Sequence, residues 1–218
     1  MIIYENKKLV FIATLQSQNI KTGNMITVWI LQKELPPHIA VKQKKDSLTC
    51  GDCQLRSGNG CYVTTWQAPL QVYKSWKAGK YPKYNVNVFK DKYARFGGYG
   101  DPAFLPIKFV KEITKVAKGF TGYTAQWTSN KFNADYLKYF MASVHNTEQL
   151  ELLKTKFPEA RYFRIVEDEH VKKYPNECIC FNYTADINCI DCLKCNAFSN
   201  INILIPKHGV RKFRINSQ

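Results

Sequence analysis

Eight cysteines fall into two groups in a chain of 218 residues. The first is Cys50-x2-Cys53-x7-Cys61, within the run TCGDCQLRSGNGCYV. Gly51, Gly58 and Gly60 lie in the same run and let a backbone turn tightly around a small centre. Three thiolates leave one coordination position of a metal open, which is the requirement for binding a substrate or cofactor on it. The second group is Cys178, Cys180, Cys189, Cys192 and Cys195. Its core, CIDCLKC, has the CxxCxxC spacing with which one loop reaches three corners of a [4Fe–4S] cube. Cys178 is the expected fourth ligand, with Cys180 as a free or alternate thiol. The spacings differ from the paired CxxC units of common zinc ribbons, so one or two [4Fe–4S] clusters are expected and zinc is the alternative metal. Clustered thiols bind metal in a reducing compartment, and the N-terminal run MIIYENKK lacks the layout of a secretory leader. A cytoplasmic location follows as the expectation.

The elements that must position these thiols follow from periodicity. Leu9–Leu15 and Met25–Leu31 read as a β-hairpin around the turn Lys21-Thr22-Gly23-Asn24. His38–Val41 reads as a short strand and Pro69–Lys77 as a helix. Strands are then expected at Tyr93–Phe96, Phe120–Trp127, Tyr139–Val144, Ala160–Val166 and Ile201–Ile205. Helices are expected at Pro106–Ala117, Asn133–Lys138 and Thr147–Lys156, the last capped by Thr147. Alternation of this kind predicts an α/β fold with a parallel sheet, whose ligands bind at the C-terminal strand ends. Polar and glycine residues fall there, at Gly97–Asp101, Gln126 and Ser143–Asn146.

The run Arg95-Phe96-Gly97-Gly98-Tyr99-Gly100-Asp101-Pro102 joins a strand to a helix, and its glycines let a ligand approach the backbone. GGYGDPAFLP resembles the Gly-Gly-Glu-Pro-type motif of radical S-adenosylmethionine enzymes, with Asp101 at the acidic position. Met141–Asn146 is similar to a later barrel strand of that family, with Ser143 in the turn near the cofactor. The cluster loop here is CxxCx7C where the family uses CxxxCxxC. The resemblance implies a partial parallel (β/α) barrel over residues 46–175. An N-terminal hairpin region over 1–45 and a C-terminal cysteine-rich lobe over 176–218 would pack on it as one compact unit. It also implies S-adenosylmethionine as cofactor, held by Gly97, Gly98, Tyr99, Gly100, Asp101 and Ser143, and a reductant as partner. The metal ligands would be Cys50, Cys53, Cys61, Cys178, Cys189, Cys192 and Cys195. The chain further resembles uncharacterised phage and plasmid proteins. They share a CxxCxLxGxGCY-like run, TGYTxxW, MASV and a final CxxCxxC followed by His-Gly, here His208-Gly209. A phage-encoded chain would work in the cytoplasm of its host.

Lys+Arg outnumber Asp+Glu by 32 to 17, a formal charge of +15, which points to a polyanionic partner. The best local support is Lys74, Lys77, Lys80 and Lys83 interleaved with Tyr73 and Trp76, a composition suited to stacking single-stranded bases. Lys207–Arg214 is a second basic run. No apolar run is long enough to span a membrane, so no membrane partner is expected. His145 and His208 are candidate ligands or bases, and Glu167-Asp168-Glu169 reads as a solvated loop. Phosphate-loop, HExxH and GxSxG motifs are absent from the sequence. The expectation is an iron–sulfur protein with a radical-enzyme-like site acting on a nucleic acid or nucleotide. The alternative is a non-catalytic iron–sulfur or zinc protein that binds nucleic acid or a host factor.

Overall fold

The computed structural model describes residues 1–208. Three strands open the chain, β1 (Ile2–Glu5), β2 (Leu9–Thr14) and β3 (Ile26–Gln32). The short helices α1 (Pro37–Lys42) and α2 (Ser47–Cys50) and the longer α3 (Ala68–Lys77) follow. Next come β4 (Tyr93–Tyr99), α4 (Ile107–Val116), β5 (Gly119–Thr121), β6 (Tyr123–Thr124), β7 (Met141–Val144), α5 (Thr147–Lys156) and β8 (Tyr162–Val166). The cysteine-rich end adds β9 (Glu177–Ile179), α6 (Phe181–Ala185), α7 (Cys189–Cys192) and β10 (Asn202–Pro206).

These strands make two five-stranded sheets, ordered β1-β2-β3-β4-β5 and β6-β7-β8-β10-β9. The hairpin is antiparallel, and every pairing from β3 onward is parallel. The α/β class and the parallel-rich sheets are therefore as expected, and among the described residues the sheets do not close into a barrel. Gly122 alone separates β5 from β6, so one extended segment pairs with β4 on its first half and β7 on its second. A Cβ at Gly122 would stand 2.7 Å from the Phe140 ring, so a side chain at this crossing would meet the core.

Burial explains why these segments are strands. β2 is buried at its first five residues and β3 at six of seven, the near-continuous apolar run of strands covered on both faces. Val110 and Ile113 of α4 join Phe96, Phe120 and Phe140 in one core. Leu150 and Leu153 of α5 close a second core on Trp127 and Val144.

Several boundaries differ from expectation. His38–Val41 lies in helix α1, because Pro37 at its first turn presets a helical φ and lacks only an N–H that the helix does not use. β4 runs on through Gly97 and Gly98 to Tyr99. The segment Phe120–Trp127 leaves the strand after Thr124 for a 3-10 turn over Gln126–Thr128. Asn146, not Thr147, caps α5, its side chain accepting the Gln149 N–H at 2.9 Å. Residues 45 and 175, between the expected segments of one compact unit, lie in loops, and strand pairing runs across both. β3 pairs with β4 from Ile26↔Ala94, and β10 is inserted between β8 and β9.

Gly100, with φ +81°, sits where the end of β4 meets β3 and α2. A Cβ there would lie 2.7 Å from Ile30 Cβ and 3.0 Å from the Thr49 carbonyl oxygen. Gly79, φ +68°, has open space around it. Gly100→Ala is expected to destabilise by about 2–4 kcal/mol, and Gly79→Ala by about 1 kcal/mol. Thermal denaturation checks this, and equal losses would mean that crowding at Gly100 is not the deciding term.

Candidate functional site

The first cysteine group is built from a short helix and a tied loop. Cys50 is the last residue of α2, and Gly51 (φ +53°) reverses the chain against the Gln126 side-chain amide, where no Cβ would fit. The loop to Cys61 is anchored by Asp46, a carboxylate only 1% exposed. It accepts the Ser57 N–H and the Ser57 hydroxyl, each at 2.6 Å, with Arg56 at 3.8 Å. Cys61 N–H donates to the Leu55 carbonyl at 3.1 Å. Sequence reading missed Asp46, since a lone acid before a helix has no distinguishing pattern.

Cys50, Cys53 and Cys61 together line a pocket of about 120 Å³. Its opposite walls are Gly97, Tyr99, Gly100 and Asp101 at the end of β4, Tyr123 and Ala125 at β6, Ser143 and His145 at β7, and Phe163 and Ile165 of β8. Gly98, expected here, faces Thr27 and Trp29 of β3 instead. Parallel strands end together, so residues scattered over the sequence converge there.

Asp101 is buried, and all four of its lone-pair positions are filled from within the chain. Oδ1 accepts Ala103 N–H at 3.0 Å and the Thr124 hydroxyl at 2.7 Å. Oδ2 accepts Ala125 N–H at 2.7 Å and Gln126 Nε2 at 3.1 Å. Burial pushes the Asp101 pKa up and these donors oppose it. Gln126 Nε2 also donates to the Cys50 carbonyl at 3.1 Å, and Asp101 N–H donates to the Thr49 carbonyl at 2.8 Å. The carboxylate thus fastens the cysteine loop to the ends of β4 and β6.

His145 lies 5% exposed with Nε2 at 3.9 Å from Cys53 Sγ. Its backbone N–H donates to Gln149 Oε1 at 2.9 Å, so the atom of Gln149 facing it is the oxygen. Nδ1 stands 3.1 Å from the same oxygen and must therefore carry the ring proton. The Nε2 lone pair is left facing the thiol. Burial lowers the His145 pKa to about 4, so the ring is neutral at pH 7. Burial pushes the Cys53 thiol up to about 12 and Cys50 well above its ordinary value. Any metal bound here must displace protons. Tyr99 also lines the pocket, and burial pushes its hydroxyl pKa up.

In the second group, Cys180, Cys189, Cys192 and Cys195 border one small cavity. Cys178 lies on β9 in register with Ile203. Cys180 lines the cavity with the other three, and Cys178 stands close enough to Cys180, Cys192 and Cys195 to interact with them electrostatically. Helix α7 is held against the hairpin turn, Cys189 N–H donating to the Lys21 carbonyl at 3.0 Å. Among the described residues no three His, Cys, Asp or Glu side chains are gathered tightly enough for a single metal ion. A tetrahedral zinc site would need its sulfurs about 3.8 Å apart.

The lysine–aromatic stretch separates into two parts. Lys74, Lys77, Lys80 and Lys83 are exposed. Tyr73 is buried with its hydroxyl on the Lys33 carbonyl at 3.1 Å, and Trp76 packs on its ring at 5.7 Å. Tyr73 is thus engaged in the core, while Trp76 is half-buried with the Lys77 ammonium 4.8 Å over its ring. Glu167 pairs with Lys207 at 2.6 Å on the surface. The His208 ring stands 5.6 Å from that of Tyr62, while Gly209 and the rest of the basic run to Arg214 lie outside the described residues.

No protein-family model, curated protein or solved structure matches this chain. Among the described residues no helix is long and apolar enough to cross a membrane.

His145 has a pH signature in metal-free protein. Its pKa is 6.5 unfolded and about 4 folded, so the unfolded chain binds the extra proton between those values. Stability should fall by about 3 kcal/mol as pH drops from about 6.5 to about 4, and be regained above 6.5. Denaturant titrations of wild type and His145→Gln across that range check it, the variant showing the shallower dependence.

Proposed function

We propose that this chain is an iron–sulfur protein in which Cys50, Cys53 and Cys61 hold a [4Fe–4S] cluster with one iron open to S-adenosylmethionine. The observation that carries the reading is convergence: three thiols from one loop face a pocket at the ends of parallel strands, next to a glycine-rich turn. The fold, read this way, is a partial, open version of the radical-enzyme barrel, with the segment 119–124 as its middle strand. A cluster spreads its ligands more widely than a single ion does, in keeping with thiols that surround a pocket without closing on one point.

Bound there, the cluster would supply one electron from an external reductant to break the sulfonium C–S bond of S-adenosylmethionine. The chain's own residues would do the rest. Gly97 and Gly100 present backbone to the pocket, their own close packing against Pro102 and Ile30 fixing the turn, and Ser143 lies on the facing wall. Asp101 is engaged by four protein donors and acts as a positioning residue. Tyr123 and Phe163, with rings 4.6 Å apart, give an apolar wall that keeps water from the pocket. The second group would hold an auxiliary cluster on Cys180, Cys189, Cys192 and Cys195. The basic surface suits a nucleotide or nucleic-acid substrate.

A second reading rests on His145. Its Nε2 lone pair, 3.9 Å from Cys53 Sγ, would close a Cys3His zinc site and leave no open position. The protein would then be a non-catalytic zinc protein.

Metal analysis of anaerobically purified protein separates the two. Two clusters predict about eight iron and eight sulfide per chain, with broad absorption near 400 nm (roughly). Cys53→Ala should halve the iron, and reduction with S-adenosylmethionine should release 5′-deoxyadenosine. Colourless protein holding zinc that His145→Ala weakens would establish the second reading instead. For the auxiliary set, Cys180→Ser should lose about half the bound metal and Cys178→Ser should keep it; the reverse would restore Cys178 as the ligand.

A further inference from the structure

A second, larger cavity of about 490 Å³ adjoins the thiol pocket, and Tyr62, Tyr123 and Phe163 line both. Arg95, on β4, projects into it. Among the described residues no carboxylate lies within the 4.0 Å of an ion pair with this guanidinium. Its immediate electrostatic neighbours are the hydroxyls of Tyr62 and Tyr123 and the thiol of Cys189. The Tyr62 hydroxyl is its hydrogen-bonding neighbour. A half-buried guanidinium that lines a cavity with no carboxylate in ion-pair reach presents a planar fork that matches a phosphate or carboxylate. Asp186 is on the same cavity wall but is exposed, with Lys21 also on the rim.

The rest of the wall is aromatic. The Tyr123 and Phe163 rings pack at 4.6 Å with a 32° tilt, and Tyr62 stands at the junction of the two cavities, 46% exposed. Such surfaces take a flat ring. The volume falls within the range of small-molecule sites, about 300–1,000 Å³. We propose that this cavity binds a mononucleotide, with Arg95 on its phosphate and the base against the Tyr62–Tyr123–Phe163 wall. The junction directs the bound nucleotide toward Cys50, Cys53 and Cys61, which makes it the candidate substrate of the proposed site. The inference rests on that reading only for this last point; binding itself requires no cluster.

The competing role for Arg95 is to neutralise thiolates of the second cysteine group through Cys189. Calorimetric titration of anaerobically purified full chain with AMP, adenosine and inorganic phosphate, alongside iron and zinc analysis, decides between them. AMP should bind, with adenosine and phosphate each at least about tenfold weaker. Arg95→Gln should weaken AMP by about 10- to 100-fold with metal content unchanged, and Arg95→Lys, keeping charge without the fork, by less. A single-stranded oligonucleotide binding tightly while AMP does not would overturn the mononucleotide. So would AMP binding that survives Arg95→Gln, or metal lost in step with AMP binding in both variants. Absence of 5′-deoxyadenosine formation would count against the cluster chemistry and leave the AMP result standing.

Discussion

Four donors converge on the carboxylate of Asp101, and the geometry of the thiol pocket depends on them. A buried carboxylate is tolerated only when its lone pairs are met, so each donor is locked in place as firmly as the acid itself. Two of the donors belong to the end of the β6 segment, and the third, Gln126, reaches on to the Cys50 carbonyl. The acid therefore converts a loop carrying three cysteines into part of the sheet's rim. Asp46 does the same at the far side of that loop through Ser57. Two buried acids, neither facing a bound ligand, hold the thiols in position.

The hairpin and the cysteine-rich end are equally integral. β3 supplies the neighbour on which β4 is laid down, and its Ile30 packs against Gly100. β10 enters the second sheet between β8 and β9, carrying the second cysteine group to the sheet edge. Helix α7 is bonded back to the turn between β2 and β3 through the Lys21 and Thr22 carbonyls. The two ends of the chain thus meet over the same cavity, with Arg95 of β4 at its wall. Much of the positive charge is exposed lysine; Arg164 is buried and paired with Glu177 at 2.8 Å, whereas Arg95 faces the cavity.

Much of the fold was readable because burial imposes period. β2, β3, β7 and β8 carry apolar runs that only strands flanked by packed elements need, and α4 and α5 show helical spacing of their buried residues. The errors came where local chemistry overrode pattern. Pro37 started a helix in a segment with strand-like residues, and the crossing at Gly122 split one expected strand between two sheets.

Of the site, sequence spacing alone determined the division of eight cysteines into two groups and the proximity of Cys50, Cys53 and Cys61, because short loops with glycines force their thiols together. It also placed Gly97–Asp101 and Ser143 at strand ends, since alternating strands and helices leave their loops at one edge. Only the tertiary structure decided what those residues face. It turned Asp101 inward onto protein donors, set the His145 lone pair against Cys53 and seated Tyr73 in the core. It also put Cys180, two residues from Cys178, on the cavity side. In each case the deciding partner is distant in the chain, and side-chain direction follows from packing that no local spacing encodes.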